Sequence, residues 1–443
     1  MVGSFGSLST ALSALRYQQS ALEVANNNIA NSTTTGYARR TIVGSAQSTS
    51  QVAMWSRYTG HGDGVAVSDV RRMVDPLLDA RMRREHSALS NLQTQATVLA
   101  RIEEGIGEPG ENGVAAALDT FTQSWQDLAT NPGGDAARQQ VLGSAAALAQ
   151  ALQAQYGNIA GEEADQQVRL ATAVDEVNSV ARDLAGLNHT ILVGAANGTD
   201  VGDLRDQRDQ LALRLADLAG ATTTVEADGQ FTVRIGTTDL VVGRTASAIG
   251  ASPLPAGVSG EIGGINTLLT VTLPSYRAGL DNVATSLADA VNAAHANGVD
   301  RTGAQGGDFF SYDPASPAAT LAVAITDIAG IAAAGISTLG SATLDGSNAD
   351  AISGVMTAAS DAYQNLVNTF GTHVASVNRQ VANQEALTGS LDAAWESQAG
   401  VNLDEETVNL LSAQRAYEAA ARMMTTLDEV LDTLINRTGV VGR

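Results

Sequence analysis

Two stretches at opposite ends of this chain share one period. Leu8, Leu15, Leu22 and Ile29 recur every seven residues near the start, with Leu12 beside them. Leu403, Leu410, Tyr417, Met424 and Leu431 do the same near the end, and Ala413, Ala420, Leu427 and Leu434 fill the position three further on. A helix with such a stripe buries it only against a partner helix. The spacing therefore predicts two terminal helices paired as a coiled coil, with everything between them as a long insertion. Asn402 is placed to cap the C-terminal helix, with Glu405 three residues later as in a capping box. Asp404, Glu405 and Glu406 suit the positive end of that helix and Arg437 its negative end. Gly439 supplies a stop. Asn26, Asn27, Asn28 and Asn31 interrupt the end of the first stripe. Polar residues in a seam set register and partner choice at some cost in stability.

The middle of the chain reads mostly as long helices. After β-like runs at 41–43, 52–55 and 65–67, broken by Gly60, Gly62 and Gly64, Asp75-Pro76 opens a helix running to about Glu104. A loop at 105–113 leads to an apolar face of Val114, Leu118, Phe121, Trp125 and Leu128. Asn131 to Gly134 breaks the chain, and Asp135 is placed to cap the next helix. From Val141 to Ile191 the pattern predicts one very long helix, or two joined near Gly157–Gly161. Unbroken, it would reach roughly 85 Å, the length of a rod and not of a globular core. A helix at 203–218 precedes strands at 222–226 and 231–235 around Asp228-Gly229, a hairpin signal, with a third strand at 239–242. Residues 243–264 read as loop, Pro274 as the start of a helix, 297–318 as loop anchored by Phe309-Phe310, and 319–325 as a strand. Helical periodicity returns by about Ala349 and continues towards Trp395.

The fold class is thus mainly α with a β-containing inserted domain. The expected layout is nested: 1–40 and 404–443 as a terminal coiled-coil domain, 41–220 and 346–403 as a long-helix rod with a short β segment at 41–70, and 221–345 as an outer β-containing domain.

Composition narrows the function. The net charge is −22, which opposes nucleic-acid binding, since that requires a basic surface to displace counterions. No apolar run has the roughly 20 residues of a membrane span, so no membrane insertion is expected. The N-terminus lacks the pattern of a cleaved signal peptide. There is no cysteine, and all 25 cations are arginine. Cysteine nucleophiles, thiolate metal sites and lysine Schiff bases are excluded with them.

Candidate catalytic or ligand sites do not converge. Gly105 to Gly110 matches G-x-G-x-x-G, but a helix precedes it and Glu103, Glu104 and Glu108 would repel a pyrophosphate, so an interhelical loop is expected. His61, His86, His189, His295 and His373 lack metal-ligand spacing. Glu103-Glu104, Glu162-Glu163 and Glu405-Glu406 are adjacent, so on a helix they diverge and read as surface charge. Residues 297–308 carry Asp300 and Asp308 among glycines without EF-hand spacing, an ordinary loop. No catalytic residue, cofactor or metal is expected.

The ends carry a resemblance. Asn27-Asn28-Ile29-Ala30-Asn31 with Thr35-Gly36-Tyr37 resembles the N-terminal signature of bacterial flagellar axial proteins (rod, hook and hook-associated). Val401 to Glu406, Gln414 to Tyr417 and Thr426 to Glu429 resemble their C-terminal signature. Gly62 to Val65, Asp75-Pro76, Leu204 to Leu211, Gly260 to Ile265 and Asn297 to Phe310 are similar to the branch of the family that sits at the hook–filament junction. The variable middle is short for that branch.

The resemblance implies a non-enzymatic structural subunit of the flagellum, extracellular and exported without a cleaved signal, that joins hook to filament. Implied partners are its own copies in a ring, the flagellar hook protein, the second hook–filament junction protein and a flagellar export chaperone. The residues expected to carry assembly are Leu8, Leu12, Leu15, Leu22, Asn27, Asn28, Ile29, Asn31, Leu403, Leu410, Tyr417, Met424, Leu427, Leu431 and Leu434. The alternatives are another axial subunit (the second junction protein, hook or flagellin) or a secreted enzyme or adhesin using the middle domain.

Overall fold

The computed structural model describes residues 2–47, 64–110, 113–336, 340 and 345–437. The β-like run at 52–55, Gly60, Gly62, His61, Gly439 and the side chain of Leu434 lie outside the described residues. Helix α1 (Val2–Ala30) is followed by an antiparallel hairpin, β1 (Arg40–Ala46) and β2 (Val65–Arg72). Then come α2 (Pro76–Ile106), α3 (Val114–Thr130), α4 (Asp135–Ala196) and α5 (Gly202–Ala219). A meander of β3 (Thr222–Val225), β4 (Phe231–Ile235), β5 (Thr238–Val242) and β6 (Thr245–Ala246) forms a four-stranded sheet. Beyond it lie α6 (Gly260–Thr267), α7 (Leu273–Ala296), the short β7 (Gly298–Val299) and β8 (Phe310–Ser311), α8 (Pro317–Thr320), β9 (Ala322–Val323) and β10 (Ala334–Gly335). The chain ends with α9 (Ser347–Ala399) and α10 (Leu403–Asp432), which continues as a wider π turn over Thr433–Arg437.

Local chemistry explains most boundaries. Asp75 Oδ1 accepts from Leu77 N at 2.8 Å, with Pro76 at the first helical position of α2. Gly107 closes that helix in the left-handed region, at φ 63°. The G-x-G-x-x-G match is therefore a helix end and an interhelical loop. Helix α4 is unbroken through Gly157 and Gly161: 62 residues, about 93 Å at the usual rise. Asp135 does not cap it. Gly134 is the cap residue, and the Asp135 carboxylate pairs with Arg301 at 2.6 Å.

Three expectations for the middle are corrected. Residues 260–264 are not loop but the first turns of α6. Pro274 does not open a helix either, because α6 runs into α7 through a π turn over Leu268–Thr272. Leu273 N bonds Leu268 O, an i to i−5 bond, and this widening makes room for a proline ring that would strike the carbonyl four residues back in a regular helix. Residues 319–325 are only partly strand: Pro317 starts the single turn α8, and β9 covers two residues.

Two apolar cores hold the body. One is built on Trp125, Phe121, Phe309, Phe310, Tyr276 and Tyr363, joining α2, α3, α7, α9 and the first half of α4. The other joins the second half of α4 with α5, α6 and the β3–β6 sheet through Val177, Leu184, Leu215, Val233 and Val241. The described residues of 221–345 divide between these cores and form no third. Helix α4 is long because it spans both. The terminal helices α1 and α10 pack on each other, outside either core.

Candidate assembly interface

The terminal pair buries little. Ala11, Ala25, Ala413 and Ala420 are buried, so small residues set a close helix–helix approach. Leu8, Leu15, Leu22, Ile29, Leu410, Met424, Leu427 and Leu431 are half-buried along the same contact. Three expected seam residues stand off it: Leu12 is 40% exposed, Tyr417 39% and Leu403 50%. Leu403 is the first residue of α10, and Glu406, three residues on, takes its place in the contact. The stripe is real, but one partner helix covers only part of it.

The pair is locked at one end by polar groups. Asn28 is 1% exposed, and its side chain makes four hydrogen bonds. Its Nδ2 donates to Arg40 O at 2.9 Å and to Glu406 Oε2 at 3.0 Å. Its Oδ1 accepts from Arg40 N at 3.0 Å and Tyr37 Oη at 2.9 Å. The amide thus mimics a strand neighbour for Arg40 while tying α1 to α10. Asn27 is exposed; its carbonyl accepts from Asn31 Nδ2 at 3.0 Å. Of the three asparagines expected in the interface, Asn28 alone is buried.

Glu405 and Glu406 do not diverge as surface charge. Both reach Arg39, Glu405 at 2.9 Å and Glu406 at 2.8 Å, because the guanidinium fork spans adjacent carboxylates. Glu406 is 2% exposed. Asn402 caps as expected, Oδ1 accepting from Asp404 N and Glu405 N. The reciprocal half of the capping box is absent, since Glu405 is engaged by Arg39.

A second junction fastens this lock to the body. In the β1–β2 ladder Arg40 stands directly opposite Arg72. Like charges so placed repel, but Asp206 of α5 lies between them, with Oδ2 3.2 Å from Arg40 and Oδ1 2.5 Å from Arg72. Arg40 also pairs with Asp203 and stacks 5.1 Å from the Tyr37 ring centre, and Arg72 reaches Asp209 at 2.7 Å. Burial pushes the Asp206 carboxyl above its usual range, against the pull of Arg72 and Arg40. One turn further along α5, Gln210 donates to Thr35 O beside Gly36, which sits at φ 75°. The other face of α5 carries Arg208. It lies 3.6 Å over the Phe231 ring and donates to Gly229 O at 2.8 Å. Burial pulls its guanidinium down to about 10. Sequence reasoning marked Leu204 to Leu211 as a resemblance without a role. The i, i+3 spacing of Asp206 and Asp209 opposite a paired-arginine hairpin was the signal available.

Several of the other candidate groups have partners within the fold. Glu162 and Glu163 do diverge, to Arg101 and Arg277, each at 2.7 Å. Asp300 Oδ1 accepts from Thr302 N and Ala304 N, an Asx turn. His295 is fully buried as a packing residue, and His86 pairs with Asp392 at 2.9 Å. Among the described residues no group of His, Asp and Glu is arranged to hold a metal.

Comparison with known proteins matches this layout. Residues 99–310 match the flagellar hook-associated protein FlgK helical domain, 396–437 the flagellar basal body rod FlgEFG protein C-terminal family, and 8–37 the flagella basal body rod protein family. Flagellar hook-associated protein 1 of Bacillus subtilis is 29% identical, with all of both chains covered. Along its whole length the chain is similar to flagellar hook-associated protein 1. The protein of that name from Escherichia coli is 26% identical, over 97% of this chain and 99% of the relative. The alignment with the Bacillus protein spans 515 positions against 443 residues here, so that relative carries insertions, in keeping with a short middle. The fold matches the flagellar hook junction protein FlgK of Burkholderia pseudomallei with a TM-score of 0.63 at 18% identity, covering 72% of this chain and all of the other. The chain is a component of the bacterial flagellum, mainly helical, with its two terminal matches on the helices that pair.

Proposed function

We infer that this chain is the structural subunit that joins hook to filament, and that α1 and α10 are its assembly element. One observation carries the reading: the two ends of the chain pair through a seam that a single partner leaves half-covered. Helices with a stripe wider than their contact take a further helix. The names of the relatives point to the hook junction, and terminal helices of neighbouring copies supply further partners of matching period. Leu12, Leu403 and Tyr417 stand where a neighbour would cover them. The seam residues Leu8, Leu15, Leu22, Ile29, Leu410, Met424, Leu427 and Leu431 hold the pair that presents them. On this reading the chain assembles with its own copies in a ring, contacts the hook protein and the second junction protein, meets an export chaperone before assembly, and works outside the cell without catalysis.

Deleting residues 404–443 tests this. The expected product has a folded body, because neither core uses α10, and fails to enter flagella. Normal incorporation of the truncated chain would overturn the assignment.

A further inference from the structure

Helix α2 carries a knob on one face and a cleft on the other. The cleft, of about 400 Å³, lies between the 32–37 loop, α2, α5 and the end of α9. Met82, Leu213 and Trp395 give it apolar walls. Its charged lining is five carboxylates, Asp79, Asp206, Asp209, Asp392 and Glu396, against Arg72, Arg83 and His86. The balance is acidic, and the walls are aromatic and aliphatic.

On α2, Asp79, Met82, Arg83 and His86 face this cleft. Leu77, Arg81 and Arg84 fall on the opposite side at helical spacing, and all three are exposed. Leu77 is 81% exposed, the most exposed large apolar side chain among the described residues. Met73, four residues earlier in the chain, is also exposed, and exposed Arg71 lies on β2. In a chain of net charge −22 this is an exposed apolar knob flanked by Arg71, Arg81 and Arg84, the last of which also reaches Glu85 at 3.4 Å. A scattered exposed leucine needs no partner. Exposed Leu77 with its arginines, on the same helix as an acidic apolar cleft and facing the other way, is complementary to that cleft in charge and in apolar character.

We propose that a second copy of this chain docks here head to tail, its Leu77 knob entering the Trp395 cleft. Knob and cleft face opposite ways, so the contact cannot close on itself in a dimer. Each copy keeps a free knob and a free cleft, and repetition gives a ring or an open row. The arginines meet Asp392 and Glu396 at the rim, which sets register and makes the contact sensitive to salt. The inference rests on α2 and not on the terminal helices or any flagellar partner, so its failure and that of the proposed function are separable.

The chain has no cysteine, which makes the test direct. Full-length Leu77→Cys and Glu396→Cys variants are mixed and treated with a short bis-maleimide, with exposed Thr190→Cys on α4 as the comparison partner for each. The expected result is a mixed Leu77→Cys/Glu396→Cys adduct several-fold above either Thr190→Cys pairing, and a ladder of multimers from the double variant. Adding Arg81→Glu, or raising salt, should reduce the adduct. A mixed adduct no more abundant than the Thr190→Cys pairings overturns the proposal. So does a predominant adduct between two Leu77→Cys chains, which would place two knobs against each other.

Discussion

The side-chain amide of Asn28 donates to Glu406 Oε2 at 3.0 Å, joining residues 378 positions apart in a buried hydrogen bond. The same amide pairs both backbone groups of Arg40. One side chain therefore fixes the register of α1 on α10 and the direction in which the chain leaves α1. Asn28→Ala leaves Arg40 N and a buried carboxylate oxygen without this partner. The expected loss is about 2–4 kcal/mol, from the cost of one or two unsatisfied buried groups. Chemical denaturation measures it. Hydrogen exchange should locate it, faster in the first turns of α10 and at 37–40 and unchanged around Trp125. Asn28→Asp should be worse, since it sets a second carboxylate against Glu406.

Gly202 carries the junction between the lock and the body. A Cβ there would lie 2.7 Å from Arg40 Cζ. That guanidinium cannot swing away freely, being held by Asp203, Asp206 and the Tyr37 ring. Gly202→Val should cost about 1–3 kcal/mol through overpacking. Because it displaces Arg40 from Asp206, its effect should be less than additive with that of Asp206→Asn. Thermal unfolding of both single variants and the double variant checks this.

The terminal helices, the α2 cap and the β3–β5 hairpin were legible because each rests on local spacing. The seven-residue repeat, Asp before Pro and Asp-Gly between apolar runs need no knowledge of the rest of the chain. The lock was not legible. Asn27 and Asn28 are neighbours in sequence, and the 100° turn between them on a helix decides which one is buried. That depends on where α10 lies. Glu406 likewise looks like any first-turn acid until Arg39 arrives from the far end of the chain. The division of 221–345 between two cores follows from the unbroken length of α4, and its glycines at 157 and 161 left that length open. Leu403 and Tyr417 share the heptad yet stand off the contact, because a period identifies a stripe and not how much of it one partner covers.

His295 gives the fold an acid-sensitive clip. Its ring is fully buried. Nδ1 lies 2.7 Å from Gly307 O, and Nε2 accepts from Ala332 N at 2.9 Å, so the neutral ring carries its proton on Nδ1. Burial lowers its pKa below the ordinary histidine value, although the Gly307 carbonyl, Asp300 and Asp308 act the other way. The folded protein thus binds the proton more weakly than the unfolded chain. Stability is full above the unfolded value of about 6.5 and is lost as pH falls through the folded one. Wild-type stability should therefore decline on acidification, with exchange rising first at 305–308 and 331–333. His295→Phe should flatten that decline. It should also cost about 1–3 kcal/mol at neutral pH, because Ala332 N loses its acceptor.

Leu427 and Val430 separate the two uses of α10. Leu427 is half-buried in the pair with α1, and Val430, on the same turn, is 46% exposed. Leu427→Asp forces a carboxylate into an apolar contact, and should loosen α10 in the isolated chain by about 1–3 kcal/mol. Hydrogen exchange over residues 410–432 reads that out, with α3, α4 and α9 unaffected because they belong to a separate core. Val430→Asp faces water in the isolated chain and should leave its exchange pattern and melting unchanged. If the uncovered side of α10 receives a neighbouring helix, the same variant should still lower recovery of the chain in purified flagella. Equal incorporation of Val430→Asp and wild type would confine the role of α10 to the pair within one subunit.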